Sequence, residues 1–214
     1  MDLASRLEQV YTGAVFDVLR SMGHRACVLP ADIRPLDPDR TLAGRIYTVS
    51  GHVEEGLDPH ETYVQWTGFL SRVPPDTVVV CQANDSWGAH MGELSAETLS
   101  RKGVRGYIVD GGCRDTKAIL ELGFRVWCRY MTPADLVGRW VCDRFEEPIQ
   151  VGEVTVHTGD YICADRDGVV VIPEALVPDV VDQTEAMVNT ESQVRTAILD
   201  GVDPQEAYLR FRAF

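Results

Sequence analysis

Between Thr77 and Tyr130 the chain alternates short apolar runs with helix-like segments, and this alternation limits the fold more than any other feature. TVVVCQA (77–83) reads as a buried strand, GELSAETLSRKG (92–103) as a helix stopped by Gly103, and GYIVD (106–110) as a second strand. DTKAILELG (115–123) reads as a second helix, ended by Gly123, and RVWCRY (125–130) as a third strand. Parallel strands cannot be joined by a tight hairpin and need a crossover. Three strands and two helices alternating within about fifty residues therefore predict a parallel βαβαβ segment with right-handed connections.

The flanks differ in character. Leu3, Leu7 and Val10, then Val15, Val18 and Leu19, recur at helical spacing and predict two short N-terminal helices within residues 1–24, the second capped by Thr12 and stopped by Gly23. RIYTVSGHV (45–53) has the β-branched and aromatic content of a strand, and Pro59 to Leu70 follows as a helix with Pro in its first turn. Beyond Pro148, VGEVTVHTGDYICADRDGVVVIP predicts antiparallel strands joined by TGD and DRDG turns. Pro173 or Pro178 opens a long polar helix to Leu199, and a last helix starts near Pro204, so residues 178–214 read as a helical extension of one domain spanning 1–214.

Charge narrows the partners. With 33 acidic against 20 basic residues the formal net charge is −13, which opposes a nucleic-acid backbone or an anionic bilayer. No apolar stretch approaches the roughly 18 residues of a membrane span. The six cysteines form no CxxC pair and no zinc-finger spacing with histidine, so a cytoplasmic protein with reduced thiols is expected.

The segment most suggestive of chemistry is VDGGCRD (109–115), which follows a strand, opens a helix, and holds two acids and an arginine. In open parallel sheets ligands bind beyond the carboxyl ends of the strands, where this loop must lie. A helix N-cap and a surface ion pair would account for Asp115 and Arg114 without chemistry. Glu93 shifts the balance, because it stands at the same end of the preceding helix. Two carboxylates with few soft ligands favour a hard cation such as Mg2+ or Mn2+. His90 is a candidate proton shuttle, although a histidine beside a site is more often a hydrogen-bonded neighbour. Cys113 reads as a packed residue, Trp66, Trp127 and Trp140 as core or interface, and the acidic EEGLDPH stretch (54–60) as a border of the pocket.

On GEL (92–94), VDGGCRD and GEVTVHTGDYICADRDGVVVIP (152–173), the chain resembles the RraA-like family. That family includes the regulator of ribonuclease E activity A and the class II 4-hydroxy-4-methyl-2-oxoglutarate aldolases, also called 4-carboxy-4-hydroxy-2-oxoadipate aldolases. The aldolases carry an acid, twenty residues and then Arg-Asp; here Glu93 is followed by residues 94–113 and then Arg114-Asp115. The resemblance implies a swivelling β/β/α fold and a metal-dependent lyase that cleaves a 4-hydroxy-2-oxo acid to pyruvate, with oxaloacetate decarboxylation from the same design. It implies that Asp115 ligates the metal, that Glu93 does so through water, and that Arg114 grips the substrate carboxylate and keto oxygen. Gly92, Leu94 and Ser95 would complete the substrate site with backbone N–H groups. It further implies a homotrimer or hexamer in which an acid of a neighbouring subunit's C-terminal helix reaches the metal through water, with Glu191 as candidate and Glu185 as reserve. The family often carries Asp where Glu93 stands. A non-catalytic regulator that docks on an RNA-degrading enzyme, or another enolate-forming enzyme, are the competing expectations.

Overall fold

A computed structural model describes residues 1–213 of the chain. Helices α1 (Leu3–Leu7) and α2 (Thr12–Ser21) lead into strands β1 (Arg34–Pro35) and β2 (Leu42–Val53) and helix α3 (Pro59–Arg72). The alternating segment supplies β3 (Thr77–Gln82), α4 (Glu93–Arg101), β4 (Gly106–Val109), a short β5 (Gly112–Cys113), α5 (Thr116–Leu122) and β6 (Arg125–Cys128). Then come β7 (Tyr130–Met131), β8 (Trp140–Phe145), the hairpin β9 (Ile149–Val151) and β10 (Val154–Val156), β11 (Tyr161–Ala164) and β12 (Val169–Ile172). A 3-10 turn at Glu174–Leu176 precedes α6 (Val177–Leu199), and α7 (Pro204–Phe211) follows.

The main sheet runs β1-β6-β4-β3-β2-β11-β12, with β8 also paired to β2. Strands β3, β4 and β6 are parallel neighbours, as the alternation predicts, and β2 extends the parallel set beside β3, while β11, β12, β8 and β1 join antiparallel. The chain is thus mixed α/β. Because side chains alternate across a strand, Tyr47 and Val49 of β2 and Val79 and Cys81 of β3 enter the core beneath α3, α4 and α5. Their neighbours Ile46, Val78 and Val80 enter a second core closed by the β9–β10 hairpin. A third core holds α1, α2 and α6 against β12, through Leu7, Val18, Ile172 and Val180 among others.

Two local expectations change. Thr12 does not cap α2; Tyr11 occupies the cap position, and the backbone N–H and hydroxyl of Thr12 donate to Asp165 at 2.9 and 2.8 Å. The acidic 54–60 stretch does not border the main cavity. Asp58 caps α3 by accepting from the His60 N–H at 2.7 Å, and Glu55 pairs with Arg139 at 3.2 Å. Among the described residues no helix is long and apolar enough to cross a membrane, and all six cysteines are unbridged and buried.

Candidate active site

The crossovers bring the carboxyl ends of the parallel neighbours β3 and β4 to the same end of the sheet, so the loops 83–92 and 110–115 meet there. Their backbones are stitched together: the His90 N–H donates to Gly112 O at 2.8 Å and the Arg114 N–H to Met91 O at 2.9 Å. Approach this close needs glycine. A Cβ on Gly112 would lie 2.4 Å from Gly88 O, and one on Gly92 would lie 2.8 Å from Asp115 Oδ2.

Asp115 stands at the cap position of α5 with φ 55° and ψ 31°, a left-handed conformation that aspartate tolerates better than most residues. Its side chain does not cap its own helix. Instead Oδ2 accepts from the Glu93 N–H at the start of α4, 3.2 Å away, and lies 3.5 Å from Arg114 Nε. The backbone of Glu93 and the carboxylate of Asp115 therefore meet, and both residues line one cavity. Asp115 Oδ1 has no hydrogen-bond partner among the described residues.

Arg114 is held loosely between two acids, Asp115 and, at 3.6 Å, Asp135. Neither contact is a short two-pronged pair, so the guanidinium keeps donors for an anionic ligand. Beside it the first turn of α4 presents the N–H groups of Leu94 and Ser95, which have no acceptor within the helix. Gly92, Glu93, Leu94, Ser95, Arg114 and Asp115 all line one cavity of about 640 Å³.

Other expected residues fall elsewhere. His90 is fully buried behind the glycine loop, its ring edge-on to Trp140 and 3.6 Å from Asp85, with neither ring nitrogen hydrogen-bonded. Burial pushes its pKa down to about 4, so the ring is neutral and cut off from the cavity, which removes it as a proton shuttle. The Asp85 side chain is only 3% exposed, yet the Gly88 N–H and Arg139 keep its carboxyl below the usual range. Cys113 is a packed thiol, raised in pKa by its contact with Cys128 and by burial. Trp87 is exposed, with the Arg139 guanidinium 5.0 Å from its ring centre. Within this chain Glu185 accepts from Arg6 at 2.8 and 2.6 Å, and Glu191 accepts from the Tyr11 hydroxyl; neither lines the cavity.

Three cavity residues have no signal in the local sequence pattern. Trp66 reads as core or interface, but it is half-buried, lines the cavity, and donates to Ser95 Oγ at 2.8 Å. Asp135 and Val137 come from the irregular loop after β7.

The sequence pattern of the Aldolase/RraA family, described as RraA-like, matches residues 12–171. The chain belongs to the RraA-like family. A Halalkalibacterium halodurans protein provisionally named a 4-hydroxy-4-methyl-2-oxoglutarate aldolase is 26% identical over 98% of this chain and 94% of its own length. Protein DlpA of Legionella pneumophila is 27% identical over 96% of this chain, which spans only 33% of that longer relative. The crystal structure of Streptomyces coelicolor RraAS2, described as an unusual member of the RNase ES inhibitor RraA family, superposes with a TM-score of 0.81 at 26% identity, covering 91% of this chain and 96% of that one. The mixed sheet with its flanking helices is thus the RraA-family fold.

Proposed function

We propose that this chain is a divalent-metal-dependent carbon–carbon lyase that cleaves a 4-hydroxy-2-oxo acid between C3 and C4, releasing pyruvate or a related 2-oxo acid. The observation that carries this reading is the convergence of the Arg114 guanidinium, the Asp115 carboxylate and the open first turn of α4 on one cavity. The aldolase name of the H. halodurans relative supports it.

The donor set suits a hard cation. Among the described residues one Asp115 oxygen has no hydrogen-bond partner, Glu93 is exposed beside it, and Mg2+ characteristically takes one or two carboxylates and keeps several waters. Bound there by Asp115 and, through water, Glu93, Mg2+ or Mn2+ would supply Lewis-acid polarisation of the 2-keto group. Arg114 receives the substrate carboxylate and keto oxygen, assisted by the Leu94 and Ser95 N–H groups. When C3–C4 breaks, its electron pair passes into the C2–C3 enolate, beside the Arg114 guanidinium. The 4-hydroxyl loses its proton and becomes the carbonyl of the departing fragment. Glu93, or Glu191 from a neighbouring subunit in a homotrimer or hexamer, orients the water that accepts this proton, and protonation at C3 completes pyruvate. Oxaloacetate decarboxylation would use the same groups, since loss of CO2 leaves the same enolate.

A Schiff-base route has no lysine to use. Lys102 donates to the carbonyls of Leu70 and Ser71 at 2.8 and 2.7 Å, Lys117 is exposed beside Glu121, and neither lines the cavity.

Similarity to RraAS2 favours a second reading, a protein-binding regulator of an RNA-degrading enzyme working through its acidic surface. A screen of 4-hydroxy-2-oxo acids and oxaloacetate, followed by pyruvate release with Mg2+, Mn2+ or EDTA, separates the two. The lyase reading expects turnover that EDTA abolishes and metal restores. Full activity in chelator would remove the metal, and no turnover of any 2-oxo acid would leave the regulator.

A further inference from the structure

The cavity is much larger than the keto-acid head that Arg114 can hold, and its remaining wall has a distinct chemistry. Tyr63, Trp66 and Leu70 lie on one face of α3, and Leu136 and Val137 close the cavity from the loop before β8. The indole N–H of Trp66 is consumed by Ser95 Oγ, so what the ring offers a ligand is hydrocarbon surface.

Charge on the lining points the same way. Four carboxylates (Glu93, Glu97, Asp115 and Asp135) face two guanidiniums (Arg101 and Arg114). Arg101 is not a spare anion receptor: its Nε and Nη2 both donate to Glu97 Oε1, at 3.1 and 3.0 Å, and its side chain is 79% exposed. Once Arg114 holds the head carboxylate and a divalent cation is held by Asp115 and Glu93, no unspent cation remains on the described lining, so a second carboxylate at the far end of the substrate would meet an apolar wall without a partner. A dicarboxylate of four or five carbons would also leave much of the 640 Å³ filled with water.

We propose that the substrate carries an apolar group on C4, of the size of a phenyl ring or a branched alkyl chain, seated against Trp66, Leu136 and Val137, and no second carboxylate. This rests on the reading that the Arg114 end receives a 2-oxo acid. The reaction would then be, for a phenyl group, 4-hydroxy-2-oxo-4-phenylbutanoate to benzaldehyde and pyruvate: the hydroxyl on C4 loses its proton and becomes the aldehyde carbonyl, C3–C4 breaks with its electron pair passing to the enolate, and one proton returns to C3.

The test uses two probes that share the oxo-acid head and lack the 4-hydroxyl, 2-oxo-4-phenylbutanoate and 2-oxoglutarate, titrated calorimetrically into the full chain with Mg2+. The phenyl probe should bind tighter by on the order of tenfold or more, as expected from burying one ring. Thr67→Arg, an exposed change on the cavity face of α3, should shrink or invert that ratio by offering a distal cation. Equal or tighter binding of 2-oxoglutarate to the parent protein overturns the proposal, and so does failure of both probes to bind at millimolar concentration. Turnover keeps the two readings apart. A phenyl preference with no turnover of any 4-hydroxy-2-oxo acid or of oxaloacetate would sustain the distal-group assignment and sink the lyase, whereas pyruvate released faster from the dicarboxylic 4-hydroxy-4-methyl-2-oxoglutarate than from 4-hydroxy-2-oxo-4-phenylbutanoate would do the reverse.

Discussion

At the scale of single residues, Arg114 and His90 make contrasting predictions. Arg114 lies between two carboxylates at 3.5 and 3.6 Å, so its charge is compensated without being spent. Under the lyase reading, Arg114→Ala should raise KM and lower kcat together, costing on the order of 10² to 10³ in kcat/KM. Arg114→Lys should rescue little, because an ammonium cannot reproduce the fork. Steady-state kinetics of the three proteins check this, and a lysine variant with full activity would contradict it. His90 belongs to stability. Its folded pKa of about 4 lies below the ordinary histidine value of 6.5, so between these values the unfolded chain binds a proton that the native chain refuses. Stability contributed by the neutral ring is therefore complete above pH 6.5 and is lost as pH falls towards 4. Asp85, depressed as well, adds loss in the same direction as it protonates. Urea titrations across this range should show stability falling with acid, and His90→Phe should reduce the proton uptake on unfolding by about one. An unchanged slope would mean that the histidine is accessible and titrates normally.

At the scale of elements, ends and caps decide what can be read locally. The stops at Gly103 and Gly123, and proline at the starts of α3 and α7, place helices in the sequence because each acts through its own backbone geometry. Two N-termini escape this logic. The first is α2, whose Thr12 is bonded by Asp165 from the β11–β12 turn, 153 positions away. Asp165→Ala should strip the acceptor from the Thr12 N–H and hydroxyl and from the Asp167 N–H, lowering stability by about 1–3 kcal/mol in chemical denaturation. A loss below a few tenths would show that water replaces it. The second is α5, where the pattern reads Asp115 as a cap. The carboxylate turns instead towards the Glu93 N–H, since the left-handed backbone at Asp115 aims it across to α4.

At the scale of the whole molecule, α6 is both part of this chain's core and the carrier of the proposed neighbour's acid. Val177, Val180 and Val181 are buried against α1, α2 and β12, so removing the helix would damage the chain itself and could not test a shared site. Glu191→Gln is the cleaner change. Light scattering should give a trimer or hexamer for both parent and variant, with lyase activity reduced only in the variant; a monomer at micromolar concentration would contradict the shared site. The order of strands and helices between Thr77 and Tyr130, and the placement of Arg114 and Asp115 beyond a strand end, are legible in the sequence alone, because periodicity, glycine stops and crossover handedness act over a few residues to a few tens. Tertiary structure alone decided that β2 sits between parallel β3 and antiparallel β11, that His90 is sealed behind Gly111 and Gly112, and that Trp66, Asp135 and Val137 face the Arg-Asp end. Those placements depend on which sheet face each helix covers and on where an irregular loop settles. Contacts between residues far apart in sequence set both, and no local pattern encodes them.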